Sequence, residues 1–188
     1  MKTLSIVLRS AAAVCFAFVM SSASCSLFDK VDDITFDVEL THEFTINETR
    51  KDKNVTYGSK EVLDAAKVNT DFAKYKDKIK SVTVTGVTYQ VHDLTAGTTT
   101  IFTNGKCGFS APSGSAATSV ADLAIENIKA AEGQVKNLNY NQQALDEIGS
   151  ILKGDQKVNV YVNGTFSETP VAFQVRIKLK ATIVADAL

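Results

Sequence analysis

Two long runs of strict alternation constrain this chain more than any other feature. Near the C-terminus apolar side chains fall on Val158, Val160, Val162 and Phe166. After a turn over residues 167–170 they fall on Val171, Phe173, Val175, Ile177, Leu179, Ala181 and Ile183, with mostly polar neighbours between them. A third run follows the same rule near the start, with Ile34, Phe36, Val38, Leu40, Phe44 and Ile46 interleaved with Thr35, Asp37, Glu39, Thr41, Glu43 and Thr45. A period of two places successive side chains on opposite faces, so each run is a strand with one buried face. One apolar face per strand needs a second layer to cover it, and two packed sheets are the economical solution. The expected fold is therefore mainly β, a two-layer antiparallel β-sandwich with one or two short helices, formed by residues 34–188 as a single domain. The two closing runs are expected to pair as an antiparallel hairpin.

Charge suggests a neighbour for the first strand. Its outward face carries Asp37, Glu39 and Glu43, and the outward face of the last carries Arg176, Lys178 and Lys180. Side-by-side placement converts two like-charged rows into cross-strand pairs.

Between these runs the signals are mixed. Residues 48–57 read as a polar loop or hairpin turn, with an ambiguous stretch following to Lys67. Asn69 or Thr70 can cap a short helix bearing Phe72, Tyr75 and Ile79 at helical spacing. Residues 81–92 read as a strand whose facing reverses at Gly86, as a β-bulge would cause. Residues 98–110 have strand composition interrupted by Asn104-Gly105, a strong hairpin dipeptide, and residues 111–119 read as a loop. Residues 120–131 fit a helical spacing and an edge strand alike, with a lean towards the strand. Residues 141–153 predict a helix capped by Asn139 or Asn141, with Leu145, Ile148, Ile151 and Leu152 on its apolar face and Gly154 as its left-handed terminus.

The first 24 residues have the makings of an export signal. Lys2 and Arg9 precede about ten apolar residues, 11–20, and Ser21, Ser22, Ala23 and Ser24 are small. The apolar run is half the length a spanning helix needs. Removing residues 1–24 takes two cations and no acid, leaving 18 basic against 21 acidic side chains, a balance that excludes an electrostatic field for nucleic acid. The tetrad Ser22-Ala23-Ser24-Cys25 resembles the bacterial lipobox, although Ser22 stands where an apolar residue is usual. The resemblance implies that Cys25 is acylated and becomes the N-terminus, with residues 25–33 a short acidic tether. Ser26 in the following position implies the outer membrane. The alternative is plain secretion with cleavage near Ala23. With Cys15 leaving with the signal and Cys25 acylated, Cys107 lacks a disulfide partner and reads as a small buried hydrophobe, whereas an unacylated Cys25 would make a Cys25–Cys107 bridge possible.

Residues Ile79-Lys80-Ser81-Val82-Thr83-Val84 leading into Val87-Thr88-Tyr89-Gln90-Val91, with the closing runs 158–165 and 171–183, resemble small lipid-anchored envelope domains of immunoglobulin-like β-sandwich character. That resemblance implies an architecture and no activity.

Signals for chemistry are sparse. The two histidines, His42 and His92, form no H-E-x-x-H, and His42 reads as a rim histidine held by a hydrogen bond. Gly108-Phe109-Ser110-Ala111-Pro112 lacks the second glycine of a nucleophile elbow. Asn104-Gly105-Lys106 reads as a turn, and the acid pairs Asp32/Asp33 and Asp146/Glu147 lack a context that would divide acid from base. The sequons at Asn47, Asn54 and Asn163 read as chance matches. Without tryptophan, a stacking platform for sugars falls to Tyr57, Tyr89, Tyr140 or Tyr161. The expectation is a chain without catalytic residues, metal or cofactor: a non-enzymatic, lipid-anchored envelope module whose loops meet a protein or polysaccharide partner. The competing expectation is a small envelope hydrolase or carbohydrate-binding accessory domain whose site forms only in three dimensions.

Overall fold

Every long alternating run becomes a strand. The structure, a computed structural model, describes residues 33–187. The expected signal, the expected acylation site Cys25 and the expected tether as far as residue 32 lie outside the described residues. The chain divides into a body, Thr35–Ala185, and a second unit made of residues 1–34 and 186–188.

Among the described residues, eight strands and four helical segments follow in order: β1 (Asp33–Glu48), β2 (Lys53–Asp64), α1 (Ala65–Val68), α2 (Thr70–Tyr75), β3 (Ile79–Ala96), β4 (Phe102–Ser110), β5 (Ser119–Asp122), α3 (Ile128–Ala131), β6 (Val135–Leu138), α4 (Gln142–Asp155), β7 (Lys157–Glu168) and β8 (Val171–Asp186). They form two four-stranded sheets, β1-β8-β3-β6 and β2-β7-β4-β5. The expected two-layer antiparallel sandwich is what forms. Its strand order is that of a jelly roll, in which the chain passes repeatedly between sheets. This differs from the immunoglobulin order, where the sheets are ABED and CFG.

β1 lies beside β8, as the charge rows require. Arg176 Nη2 stands 2.6 Å from Glu43, Lys178 Nζ 2.9 Å from Glu39, and Thr182 donates to Asp37 at 2.7 Å. The descending and ascending numbers make the pair antiparallel.

The closing runs do not form a hairpin. β7 belongs to one sheet and β8 to the other, with the cis Thr169–Pro170 bond between them. A hairpin would point both apolar faces the same way and leave them needing a cover. Crossing between sheets makes the two faces cover each other, and Phe166 of β7 meets Phe173 of β8 edge-on at 6.1 Å.

Four further readings are corrected. Residues 53–64, read as loop and ambiguous stretch, are β2, whose inward positions include Ser59 and Glu61 and so lack an apolar alternation. The turn before it, residues 49–52, carries the chain across the sandwich and makes no hairpin. Asn104-Gly105 also makes no hairpin, because both flanks pair with β7 across a register shift between Thr103 and Lys106. Asn104 takes φ +53°, and Gly105 accepts from the Leu123 amide at 2.8 Å so closely that a Cβ would meet the Leu123 carbonyl and the Phe102 ring. Residues 120–131 begin in strand β5 and end in helical turn α3, capped by Asn127 accepting from the Ala130 amide at 2.9 Å. Finally, α4 runs past Gly154. Its left-handed terminus is Gln156, at φ +57°, where the backbone amide bonds Leu152 and the side chain donates to the Lys76 carbonyl at 3.0 Å.

The remaining local features follow the sequence. Asn69 caps α2 by accepting from the Phe72 amide at 2.8 Å, and Asn141 caps α4 by accepting from Ala144 at 2.8 Å. The β3–β8 register shifts between Val84 and Gly86, the bulge that reverses facing. Ile148 and Leu152 are buried on the apolar side of α4.

Candidate interaction surfaces

The topology sorts the connections onto two ends of the body. β1 starts, β2 finishes, β3 and β7 start, and β8 finishes at one end. The pairs Ile79↔Ala185 and Asp64↔Lys157 and the Phe36–Tyr75 ring contact at 5.3 Å fix that arrangement. This end, the near end, carries α1, α2, residues 111–118 and α4. The far end gathers residues 49–52, 97–101, 123–134 and 169–170.

The far-end segments are laced together by side chains and backbone. Thr169 Oγ1 donates to the Arg50 carbonyl and accepts from the Asp52 amide at 3.1 Å. Thr99 Oγ1 donates to Glu168 at 2.7 Å, the Ile101 amide donates to Ser167 Oγ at 3.0 Å, and the Ile128 amide reaches the Thr100 carbonyl at 3.3 Å. Gly97, at φ +84°, makes the tight start of its turn against Val171 and Thr100. Two open hollows flank residues 123–127: one of about 300 Å³ bounded by Ile101, Gly105 and Leu123, and one of about 340 Å³ bounded by Asn127, Ala130 and Gln134. Ile101 is 43% exposed beside the first. The far end is thus a braced, uneven surface with an apolar spot and polar backbone around it.

The outer face of β1-β8-β3 is a ladder of ion pairs. A hydrogen bond from Lys178 holds the Glu39 carboxyl below the ordinary range. Opposite charges satisfied within the sheet leave little single-sign field for a partner.

The outer face of the other sheet is partly roofed by residues 111–118. Asn159, 1% exposed, sends Nδ2 to Ser110 Oγ at 3.2 Å and to the carbonyls of Ala111, Pro112 and Gly114. Tyr161 Oη adds a bond to the Gly114 carbonyl at 3.2 Å. Gly108 lets this roof approach, since a Cβ there would collide with Ala117. This clamp was invisible in the sequence, because its acceptors are backbone carbonyls 45 to 48 residues away.

The residues singled out for chemistry are dispersed. Ser110 is buried in the Asn159–Tyr161 clamp. His42 binds Glu61 at 3.0 Å and stands edge-on to Phe44, the rim position expected of it. His42 and Glu61 point inward from the edge strands of opposite sheets, a device that discourages pairing with other chains. His92 binds Asp93 at 3.1 Å on the outer face of β3. Asp146 accepts from Gln142 and Glu147 from Ser119, each at 2.8 Å, and hydroxyl donation from Thr118 and then Ser119 lowers the Glu147 carboxyl. Among the described residues no three His, Cys, Asp or Glu side chains converge as metal ligands would. Tyr89 is buried and donates to the Ala124 carbonyl at 2.7 Å, while Tyr57, Tyr140 and Tyr161 are half-buried and form no exposed shelf. Asn47, Asn54 and Asn163 are exposed on strands. Cys107 is fully buried, and desolvation pushes its thiol up to about 12. Burial beneath Tyr140, whose hydroxyl donates to the Cys107 carbonyl at 2.7 Å, fits the small-hydrophobe reading.

No protein-family profile matches the chain, and no curated protein does. Three solved structures of viral proteins are similar in shape at 7% identity. A Desmodium yellow mottle tymovirus chain gives a TM-score of 0.42, covering 83% of this chain and 89% of that one. A decameric BFDV capsid protein gives 0.39, covering 80% and 99%. A chain of infectious bursal disease virus, Gx strain, gives 0.27, covering 83% of this chain and 37% of that one. TM-scores this low carry no argument about this chain, whose sandwich rests on its own strand order.

Proposed function

We propose that this chain is a non-enzymatic cell-envelope lipoprotein, held by an acylated Cys25 in the outer membrane, that presents the far end of its sandwich to a protein or polymer partner. One observation carries the reading. The body begins at Thr35 on the near end, while four braced connections gather at the opposite one. The chain enters the body at the near end, so the far-end connections lie opposite the point of entry, where a partner can reach them. Braced loops also bind at lower entropic cost than mobile ones, since their conformations are already restricted.

A photo-crosslinking residue tests the direction of presentation. Placed at Thr98, exposed in the 97–101 turn, it is expected to yield a discrete adduct in intact cells. At Thr56, exposed on the outer face of β2, it is expected to yield none. Adducts from Thr56 with none from Thr98 would move the binding surface to the sheet face and contradict the proposal.

A further inference from the structure

The near end has its own surface chemistry. Lys67, Lys74, Lys76 and Lys78 are all exposed within the short connection from β2 to β3, and Val68 is 43% exposed among them. The segment is held in place. Asp64 caps α1 by accepting from the Lys67 amide, Asn69 caps α2, and Gln156 at the end of α4 receives the Ala65 amide at 3.0 Å. The ring of Tyr75 carries the Lys74 ammonium 4.7 Å above it and lies against Phe36, the second residue of the body. Acids are present as well: Asp71 and Asp77 are exposed in the same connection, and Asp64 pairs with Lys157 at 3.3 Å. Over residues 65–78 the balance is four lysines to two aspartates, in a chain whose net charge is −1. The excess of cations is confined to this connection, since α4 at the same end carries Asp146, Glu147 and Asp155 against Lys153.

We infer that this lysine-bearing connection docks on an anionic lipid surface. The inference rests on the anchored reading of Cys25 and adds what the body does once anchored. Nine residues lie between Cys25 and Thr35, so even a fully extended tether spans at most about 35 Å, and the near end is the part of the body kept within reach of the headgroups. Ammonium groups close to anionic headgroups are attracted over about a Debye length, and a basic patch is a recognised second signal beside an acyl chain. Val68 is placed to enter the headgroup layer between the lysines. Docking would hold the far-end connections away from the bilayer.

The test uses residues 26–188, which contain the whole compact body and no acyl chain, in flotation with phosphatidylcholine vesicles and with equimolar phosphatidylcholine–phosphatidylglycerol vesicles at low salt. Binding to the anionic vesicles alone is expected, declining as NaCl is raised. Lys67→Glu, Lys74→Glu, Lys76→Glu and Lys78→Glu together are expected to lower the partition coefficient by about tenfold or more. The same reversal at Lys51 and Lys129 on the far end should leave it nearly unchanged, with circular dichroism confirming that each variant is folded. Equal binding to both vesicle types, no binding to either, or equal losses from near-end and far-end reversals would overturn the inference. Because the probe has no lipid, these results are independent of whether Cys25 is acylated, which the N-terminal mass of the native protein decides separately.

Discussion

Phe166→Ala is expected to lower the unfolding free energy by about 3–5 kcal/mol, the range for deleting a buried aromatic ring. Phe166 is fully buried on β7, and its ring lies 4.8 Å from Phe102, 5.7 Å from Tyr57 and 6.1 Å from Phe173. Those neighbours come from β4, β2 and β8, so one side chain joins three strands of its own sheet to a central strand of the other. Strands hydrogen-bonded at both edges cannot collapse easily into the space left behind, which places the cost towards the upper part of the range. Urea titration should show a lower midpoint with an unchanged slope. Phe166→Leu, which keeps much of the volume, should cost distinctly less. A loss below about 1 kcal/mol for the alanine variant would mean the two sheets do not depend on this cluster.

Opposite effects are expected from the same substitution at two glycines of α4. On helix propensity alone, Gly→Ala stabilises an interior helical position by roughly 1 kcal/mol. A methyl group added at Gly154 would meet nothing within 4 Å, so Gly154→Ala should raise stability by about that amount. At Gly149 a methyl would run into the Val82 carbonyl oxygen, a backbone atom of β3 that cannot rotate aside. Gly149→Ala should instead destabilise by about 1–3 kcal/mol as the helix is pushed off the sheet. Thermal melts of the two variants read out the difference in sign. Stabilisation at both sites would show that α4 does not pack against β3 as closely as this contact requires.

How far the fold could be read in the sequence depended on which interactions set each feature. Facing is local, and alternation revealed it in β1, β7 and β8. Neighbour identity is not local. It was legible for β1 and β8 only because their outward rows carry opposite charges. Nothing comparable marks β7 and β8 as members of different sheets, since two alternating strands around a short turn fit a hairpin and a crossing equally well. Asn104-Gly105 misled for a related reason. Asn104 does take a positive φ, but the partner of the flanking residues, β7, lies more than fifty residues away. β2 was hidden because Ser59 and Glu61 occupy its inward positions, where Glu61 serves the rim contact with His42. At the candidate surfaces, individual roles such as the rim position of His42 and the burial of Cys107 followed from parity and composition. The gathering of four distant connections at the far end did not, because it is a property of the jelly-roll path.

The proposed attachment of the sandwich to lipid at Cys25 can be read from the mass of the mature N-terminus. Protein extracted from the membrane fraction is expected to begin at Cys25, to lack residues 1–24 and to carry the added mass of acyl chains on that residue. An unmodified N-terminus at Ser24, recovered from the soluble fraction, would contradict the account.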